Sequence, residues 1–226
     1  MSIVILTGAG ISAESGLATF RGDDGLWNNH PIEEVATIDG FLKNPYKVFD
    51  FYEDLSDEVA KAQPNPAHTA IAEFQKKTGA FLITQNVDLL HEKAGSSQVC
   101  HMHGRIDESI CLSCGRIVKG LASADSQCTA CATERMMKPN IVFFGEMPQH
   151  MTEIEQRLNT CTLFIAVGTS GVVYPAAGFV RTAKEHGATT LLFNLEKVAN
   201  TPFFDEQILG KASETLPRFL KELVSG

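Results

Sequence analysis

Short, wholly apolar runs alternate along this chain with stretches of helical period, and that alternation sets the expected fold. Residues 2–7 form a β-branched apolar run that stops at Gly8-Ala-Gly10, after which 11–16 can begin a helix: a buried strand, then a glycine turn. Residues 20–31 have turn residues and no period, so a long loop is expected beside that turn, where such loops often serve as lids. Over 44–62, Val48, Phe51, Tyr52, Leu55 and Val59 recur at helical spacing, and Asn65-Pro66 supplies a cap and a first-turn proline for a second helix. Residues 80–84 and 99–101 read as strands around a helix over 88–94 that Gly95 closes. Further on, 140–144 and 162–167 read as strands around the helix marked by Met151, Ile154 and Leu158. A helix over 175–186 ends at Gly187, 189–194 is a strand, and Ser213 caps a last helix over 214–224. Strands alternating with helices predict an α/β fold, a doubly wound parallel sheet. Two stretches break the alternation, the helical 28–78 and the cysteine-rich 105–138. They are expected to be insertions forming a small lobe, leaving 1–27, 79–104 and 139–226 to the sheet domain.

Composition narrows the function. The 226 residues are 44% hydrophobic and 20% charged, with a net charge of -8. At this length folding buries roughly 70% of the unfolded chain's surface, enough for one large core with a satellite. The acidic balance argues against nucleic-acid binding, which draws its affinity from Lys and Arg on phosphates, and suits basic protein segments instead. The longest apolar runs fall far short of the roughly 20 residues that span a bilayer, and the N-terminus lacks a signal peptide's basic region and cleavage site. A cytoplasmic protein is expected, and a monomer.

Of the six cysteines, Cys111 and Cys114 form one CxxC pair and Cys128 and Cys131 another, with residues 115–127 between them. This is the spacing of a four-thiolate zinc ribbon, structural because no coordination position is left open. The competing readings are chance pairs or a dithiol redox switch, but neither pair opens the helix of a βαβ unit. Cys100 and Cys161 stand apart.

Gly8-Ala-Gly-Ile-Ser-Ala13 fits the G-x-G-x-x-G/A pattern of a Rossmann-like turn directly after a strand, where the backbone can approach a pyrophosphate. The acid that usually follows about 20 residues later, at the end of a second strand, is missing; Asp23 and Asp24 sit in the loop. Either the match is accidental or a dinucleotide lies in another orientation, with Glu196, beyond the strand ending at Asn194, as its ribose acid.

Taken together, Gly8-Ala-Gly-Ile-Ser-Ala-Glu-Ser-Gly16, Thr19-Phe-Arg21, Thr84-Gln-Asn-Val-Asp88, His103-Gly104, the two CxxC pairs, Gly168-Thr-Ser170 and Asn194-Leu-Glu196 resemble the sirtuins, NAD-dependent protein lysine deacylases. The resemblance runs nearly the whole chain in the family's order, and 144–148 and 173–179 are similar to compact bacterial sirtuins grouped with the desuccinylase class. It implies chemistry in which an acyl-lysine carbonyl oxygen attacks C1′ of the nicotinamide ribose, nicotinamide leaves, and acyl-ADP-ribose and free lysine result. A base near neutral pKa must take a ribose proton, and the motif makes it His103. His101 competes, since on a strand the two would share a face, but glycine follows only His103.

The resemblance further implies cofactor contacts from Gly8, Ala9, Gly10, Ser12, Ala13 and Glu14 in the turn, and from Phe20, Arg21 and Trp27 in the loop. Gln85, Asn86, Val87 and Asp88 would hold the nicotinamide end, with Asn86 at the ribose and Asp88 accepting from the carboxamide; the plainer reading of Asp88 is a helix cap. Gly168, Thr169 and Ser170 would meet phosphate, Asn194, Leu195 and Glu196 the adenosine ribose, and Ala212 the adenine.

For the substrate, the desuccinylase class has an Ala that widens the acyl pocket, matched by Ala36. It also has a Tyr followed three residues later by an Arg that together clasp an acyl carboxylate. Tyr52 matches, but the Arg position holds Leu55. Leucine cannot replace a bidentate guanidinium, so a wide, neutral pocket for acetyl and other uncharged acyl groups is expected. The alternative is that Leu55 only packs the helix and another cation binds the acid, leaving desuccinylase or demalonylase activity. Peptides would add as a strand between Val142, Phe144, Gly145 and Glu146 on one side and Gly171, Val172 and Val173 on the other. Glu146 and Asp57 suit lysine-rich targets. Competing functions are mono-ADP-ribosyl transfer, hydride transfer, and a non-catalytic ADP-ribose or zinc-ribbon module.

Overall fold

The structure, a computed structural model, describes residues 2–19, 30–131, 136–198 and 200–225. Its elements in chain order are β1 (Ile3–Thr7), α1 (Ala9–Ala13), α2 (Ile32–Val35), α3 (Ile38–Lys43), α4 (Pro45–Lys61), α5 (Pro66–Thr78), β2 (Phe81–Thr84), α6 (Leu90–Lys93), β3 (Val99–His101), β4 (Gly104–Cys111), β5 (Ile117–Lys119) and β6 (Met137–Ile141). After these come α7 (Met151–Leu158), β7 (Leu163–Val167), α8 (Phe179–Glu185), β8 (Thr189–Asn194), β9 (Glu206–Leu209) and α9 (Ala212–Ser225).

Six strands make one parallel sheet in the order β3-β2-β1-β7-β8-β9. Counting only these strands, the order is the 3-2-1-4-5-6 of a doubly wound dinucleotide fold, and it reverses between β1 and β7. The apolar runs are continuous because helices cover both faces. Val4, Leu6, Ile83, Phe164, Ala166 and Leu192 point into one core with α7 and α8. Ile3, Ile5, Leu82, Leu163, Ile165 and Phe193 point into the other with α5 and α9. A third core joins α4 to the second sheet, the antiparallel β5-β4-β6, through Phe51, Tyr52, Leu55, Ile106, Ile141 and Phe143.

Several expected elements shift. The strand expected over 140–144 is β6, three residues earlier, and it pairs antiparallel with β4 rather than entering the parallel sheet. Pro139 is tolerated there because β6 is an edge, where a missing N–H breaks no ladder. Strands β4 and β9 were not expected at all. The polar Arg105, Asp107 and Glu108 hide the period of β4, and a bulge between Gly104 and Ser109 interrupts it. The helix expected over 175–186 begins as a 3-10 turn over Ala176–Gly178, and the one over 88–94 keeps only Leu90–Lys93. Ser213 does not cap α9. Its backbone N–H and hydroxyl instead donate to the Glu14 carboxylate, 199 residues away in sequence.

Candidate active site

The site lies at the carboxyl ends of β1, β2 and β7, where the strand order reverses. There the glycine turn is sealed onto the end of β7: Gly8 N–H donates to Val167 O (3.0 Å) and Gly10 N–H to Gly168 O (2.8 Å). Gly168 is left-handed (φ 60°), and a Cβ on it would lie 2.3 Å from Ile11 N. The turn therefore needs glycine for chain crossing, before any ligand is considered.

From the end of β2 the 85–88 loop lies across this turn. Gln85 Nε2 donates to Thr169 Oγ1 (3.2 Å), tying β2 to β7. Asn86 Nδ2 reaches Gly8 O and Ser12 Oγ, both at 3.1 Å, while its Oδ1 is buried with no partner among the described residues. That orphan acceptor is what a ligand hydroxyl or amide N–H would satisfy. Asp88 accepts from Ser12 Oγ (2.9 Å) and from Leu90 N (3.0 Å), so both its expected roles, ligand and helix-end acceptor, draw on one carboxylate. Burial raises its pKa against those bonds.

The two histidines separate cleanly. His101 ends β3, whereas His103 sits in the turn before β4, so the strand alternation expected to align them does not apply. His103 Nδ1 lies 2.9 Å from Gln85 O. A carbonyl only accepts, so Nδ1 carries the proton and Nε2 keeps its lone pair. No described residue takes Nε2, and burial lowers the ring's pKa, favouring the neutral form. Gly104 (φ 82°) must be glycine because a Cβ there would fall 1.8 Å from Asn140 O as β4 crosses β6. His101 is 4% exposed and both its nitrogens are engaged, Nδ1 with Asn86 O (3.2 Å) and Nε2 with Glu92 (2.7 Å).

Ala36, Tyr52 and Leu55 are all buried, Tyr52 and Leu55 in the third core. Phe144 N–H donates to Ala36 O (2.9 Å), and Tyr52 stacks on Phe143 with ring centroids 6.1 Å apart. Desolvation pushes the Tyr52 hydroxyl far above its usual range, so it stays a neutral donor. Leu55 borders a hollow of about 310 Å³ that also has Asp54, Asp57, Glu58 and one ammonium, Lys61. Glu146, expected as a free acid, instead accepts from Phe143 N (2.7 Å) and from the buried Lys138 (3.1 Å). Lys138 was not singled out from sequence; the signal was a lone cation inside a strand otherwise buried. Its ammonium also reaches Ile141 O (2.6 Å) and lies 4.0 Å from the Phe143 ring centre. Val142 N–H donates to His103 O (2.9 Å), Phe144, Gly145 and Val172 are exposed, and Val173 is half-buried.

Elsewhere the expected residues divide. Gly8, Ala9, Gly10, Ser12, Ala13, Gly168, Thr169 and Ser170 line the switch point, and Val87 points into the lobe's core. The Glu14 carboxylate is committed to the start of α9, next to buried Ala212. Leu195 and Glu196 are exposed at the end of β8, where Asn194 Nδ2 holds Glu196 O (2.9 Å). Phe20, Arg21 and Trp27 lie outside the described residues.

In the ribbon, Cys111 and Cys131 sulfurs lie 3.7 Å apart, as do those of Cys114 and Cys128, and all four fall within 4.8 Å. A zinc tetrahedron with bonds of about 2.3 Å has edges of about 3.8 Å, so the four thiolates fit that ion. Cys100, buried, has its thiol pushed up to about 12 and joins no such group among the described residues.

A strand-order reversal, a glycine turn at it and a buried histidine tied to the loop that carries an orphan amide oxygen define a dinucleotide-handling α/β protein whose four-cysteine cluster fits zinc. A profile of the Sir2 family matches residues 8–175. An NAD-dependent protein deacylase of Pasteurella multocida (strain Pm70) is 48% identical over 231 residues, covering 98% of this chain and 97% of its own. A mutant Sir2 homologue solved with ADP-ribose superposes with a TM-score of 0.91 at 38% identity, over 99% of this chain and 93% of that one. A Sir2 homologue in complex with NAD gives 0.89 at 38%, over 99% and 90%. The chain belongs to the Sir2 family. Among the described residues no helix is long and apolar enough to cross a membrane.

Proposed function

We propose that this protein is an NAD-dependent protein lysine deacylase that transfers acetyl or another short uncharged acyl group from lysine to ADP-ribose, releasing nicotinamide. The observation that carries the reading is His103. Its Nδ1–H is pinned to Gln85 O, so Nε2 is a fixed proton acceptor at the switch point, with the unpaired Asn86 Oδ1 on the neighbouring loop. In the proposed reaction Asn86 Oδ1 accepts from the nicotinamide ribose, and Asp88 orients the carboxamide. As the C1′–nitrogen bond breaks and the acyl oxygen takes its place, the positive charge that develops on the ribose would pass to the acyl carbon. His103 Nε2 would then take a ribose hydroxyl proton, that oxygen would attack the acyl carbon, and one water would add as the lysine amine leaves, giving acyl-ADP-ribose and free lysine. The zinc holds the lobe and takes no part in these steps.

Two observations support an uncharged acyl group. Leu55 offers no donor, and the hollow beside it holds three carboxylates against one ammonium. The buried cation Lys138 has its charge spent on Glu146 and backbone carbonyls. An acyl carboxylate beside Leu55 would find no guanidinium to pair with, and the three surface carboxylates of the hollow would repel it. The substrates we envisage are acyl-lysine segments of proteins, bound by main-chain pairing at Gly145–Glu146 and 171–173, in a cytoplasmic monomer that does not bind nucleic acid. Mass spectrometry of the products from NAD and one peptide carrying acetyl-, butyryl- or succinyl-lysine tests the proposal. Acyl-ADP-ribose from acetyl or butyryl peptide is expected; ADP-ribosylated protein would replace the reading with mono-ADP-ribosyl transfer, and kcat/KM on succinyl equal to or above acetyl would overturn the acyl preference.

A further inference from the structure

His101 is a buried histidine that the proposed reaction leaves without a task. Its two ring nitrogens face two groups that cannot donate: Nδ1 the carbonyl oxygen of Asn86 at 3.2 Å, Nε2 the Glu92 carboxylate at 2.7 Å. Glu92 is held as a carboxylate by a second donor, Arg105 Nη1, at 3.2 Å. A neutral imidazole has one N–H and makes one of these bonds; only the doubly protonated ring makes both. We propose that His101 is a positioning residue that acts as an imidazolium, donating at once to Asn86 O and Glu92 and so clamping the 85–88 loop against α6. The proposal rests on the reading of Asn86 and Asp88 as the nicotinamide-side loop.

The surroundings bear this out group by group. On α6, Glu92 is the direct counter-ion and the neighbouring His91 is held neutral by burial. From the loop after β2 the Asp88 carboxyl faces the ring, and from β4 Asp107 does, each at longer range. Arg105, the like charge, is shared among Glu92, Asp107 and Glu108. Carboxyl groups thus outnumber the cation around a 4% exposed ring. The clamp matters because the same Asn86 donates its side-chain amide to Gly8 O and Ser12 Oγ, so its main-chain anchor sets where the orphan Oδ1 points. When the ring loses a proton, one nitrogen is left facing an acceptor lone pair to lone pair, and the loop loses either its tie to α6 or its own anchor.

The test has two arms. In protein labelled with 15N-histidine, with His101→Gln to assign the signals, both ring nitrogens of His101 are expected in the protonated range at neutral pH; one unprotonated nitrogen overturns the proposal. In the second arm, Glu92→Gln should move the alkaline limb of kcat/KM for NAD down by about one to three pH units, since an adjacent opposite charge is worth that much. KM for NAD should rise more than kcat falls, at unchanged zinc content. A fold-supporting role alone would not move the limb, and an unmoved limb overturns the proposal. Should Glu92→Gln fail to fold, the wild-type ring signals still decide. Absence of nicotinamide release from wild type would count against the deacylase reading, and the ring signals tell that failure from this one.

Discussion

The proposed base in this site is made by its neighbours. Gln85 O fixes which nitrogen of His103 carries the proton, and burial keeps the ring neutral. His103→Ala should therefore lower the formation of acyl-ADP-ribose and free lysine in an acyl-peptide reaction by roughly 100-fold or more, the usual worth of a general base. NAD binding by calorimetry and zinc content should be retained, and unchanged formation of acyl-ADP-ribose would remove His103 from the mechanism. At Leu55 the expected outcome of Leu55→Arg is a gain: a guanidinium three residues after Tyr52, one helical turn on, can pair a carboxylate in two hydrogen bonds. The succinyl-to-acetyl ratio of kcat/KM should rise roughly tenfold or more, read on matched peptides. The identity of both residues was legible in sequence, His103 from the glycine after it and Leu55 from its place after Tyr52. The choice of His103 over His101 rested on that glycine alone, and the strand alternation that would have aligned the two does not hold, because the chain turns at 102–103. Glu146 was legible only as an acid; that it closes a buried pair with Lys138 depends on a fold-back that no spacing announces.

Helix α5 shows how an element's local signal acquires a second use. Asn65 caps it, accepting from Ala67 N (3.0 Å), and His68 Nδ1 returns a bond to Asn65 N (3.3 Å). The same Asn65 donates Nδ2 to Ile11 O (2.7 Å) and Ser15 Oγ (3.0 Å), which fastens α1 and the glycine turn to α5. A lost cap costs about 1 kcal/mol and each lost hydrogen bond about 1 more, so Asn65→Ala should destabilise the fold by about 2–3 kcal/mol. Calorimetry should show Tm lower by roughly 4–10 °C. The rings of His68, on this helix, and His91 lie 4.9 Å apart, tilted by 59°, and burial lowers His68 from 6.5 to about 4. The sign follows from linkage: the folded state binds its proton later than the unfolded one, so stability is whole above pH 6.5 and falls as pH drops toward about 4. His68 alone accounts for on the order of 3 kcal/mol of that loss. Denaturant midpoints measured across this range should decline, and the decline should be shallower in His68→Gln. The cap of α5 was plain in sequence because a cap is a local bond. The cap of α9 was not, since Glu14 supplies it from the other end of the chain.

For the whole molecule, the second sheet couples the zinc lobe to the base. Cys111 ends β4 and Met137 begins β6, and these strands run from the ribbon to His103, whose carbonyl accepts from Val142 N. Stripping the metal removes the energy that folds the ribbon and should loosen that turn. One zinc per chain should be released to a strong chelator with a colorimetric reporter, and deacylation should fall roughly tenfold or more while the parallel sheet's circular dichroism persists. Full activity in zinc-free protein would show the lobe to be independent of the site. What the amino-acid order determined by itself is whatever rests on local bonds and periods: the buried parallel strands, the helix starts at Asn44 and Asn65, the glycine turn, the four thiolates and the motif histidine. Only the tertiary structure decided which groups meet across long separations in sequence. Glu14 meets Ser213, Lys138 leaves β6 for Glu146, His101 spans Asn86 and Glu92, and the end of β7 closes on Gly8. Those contacts depend on strand order and register, which the apolar pattern permits in several arrangements and which packing on both faces of the sheet reduces to one.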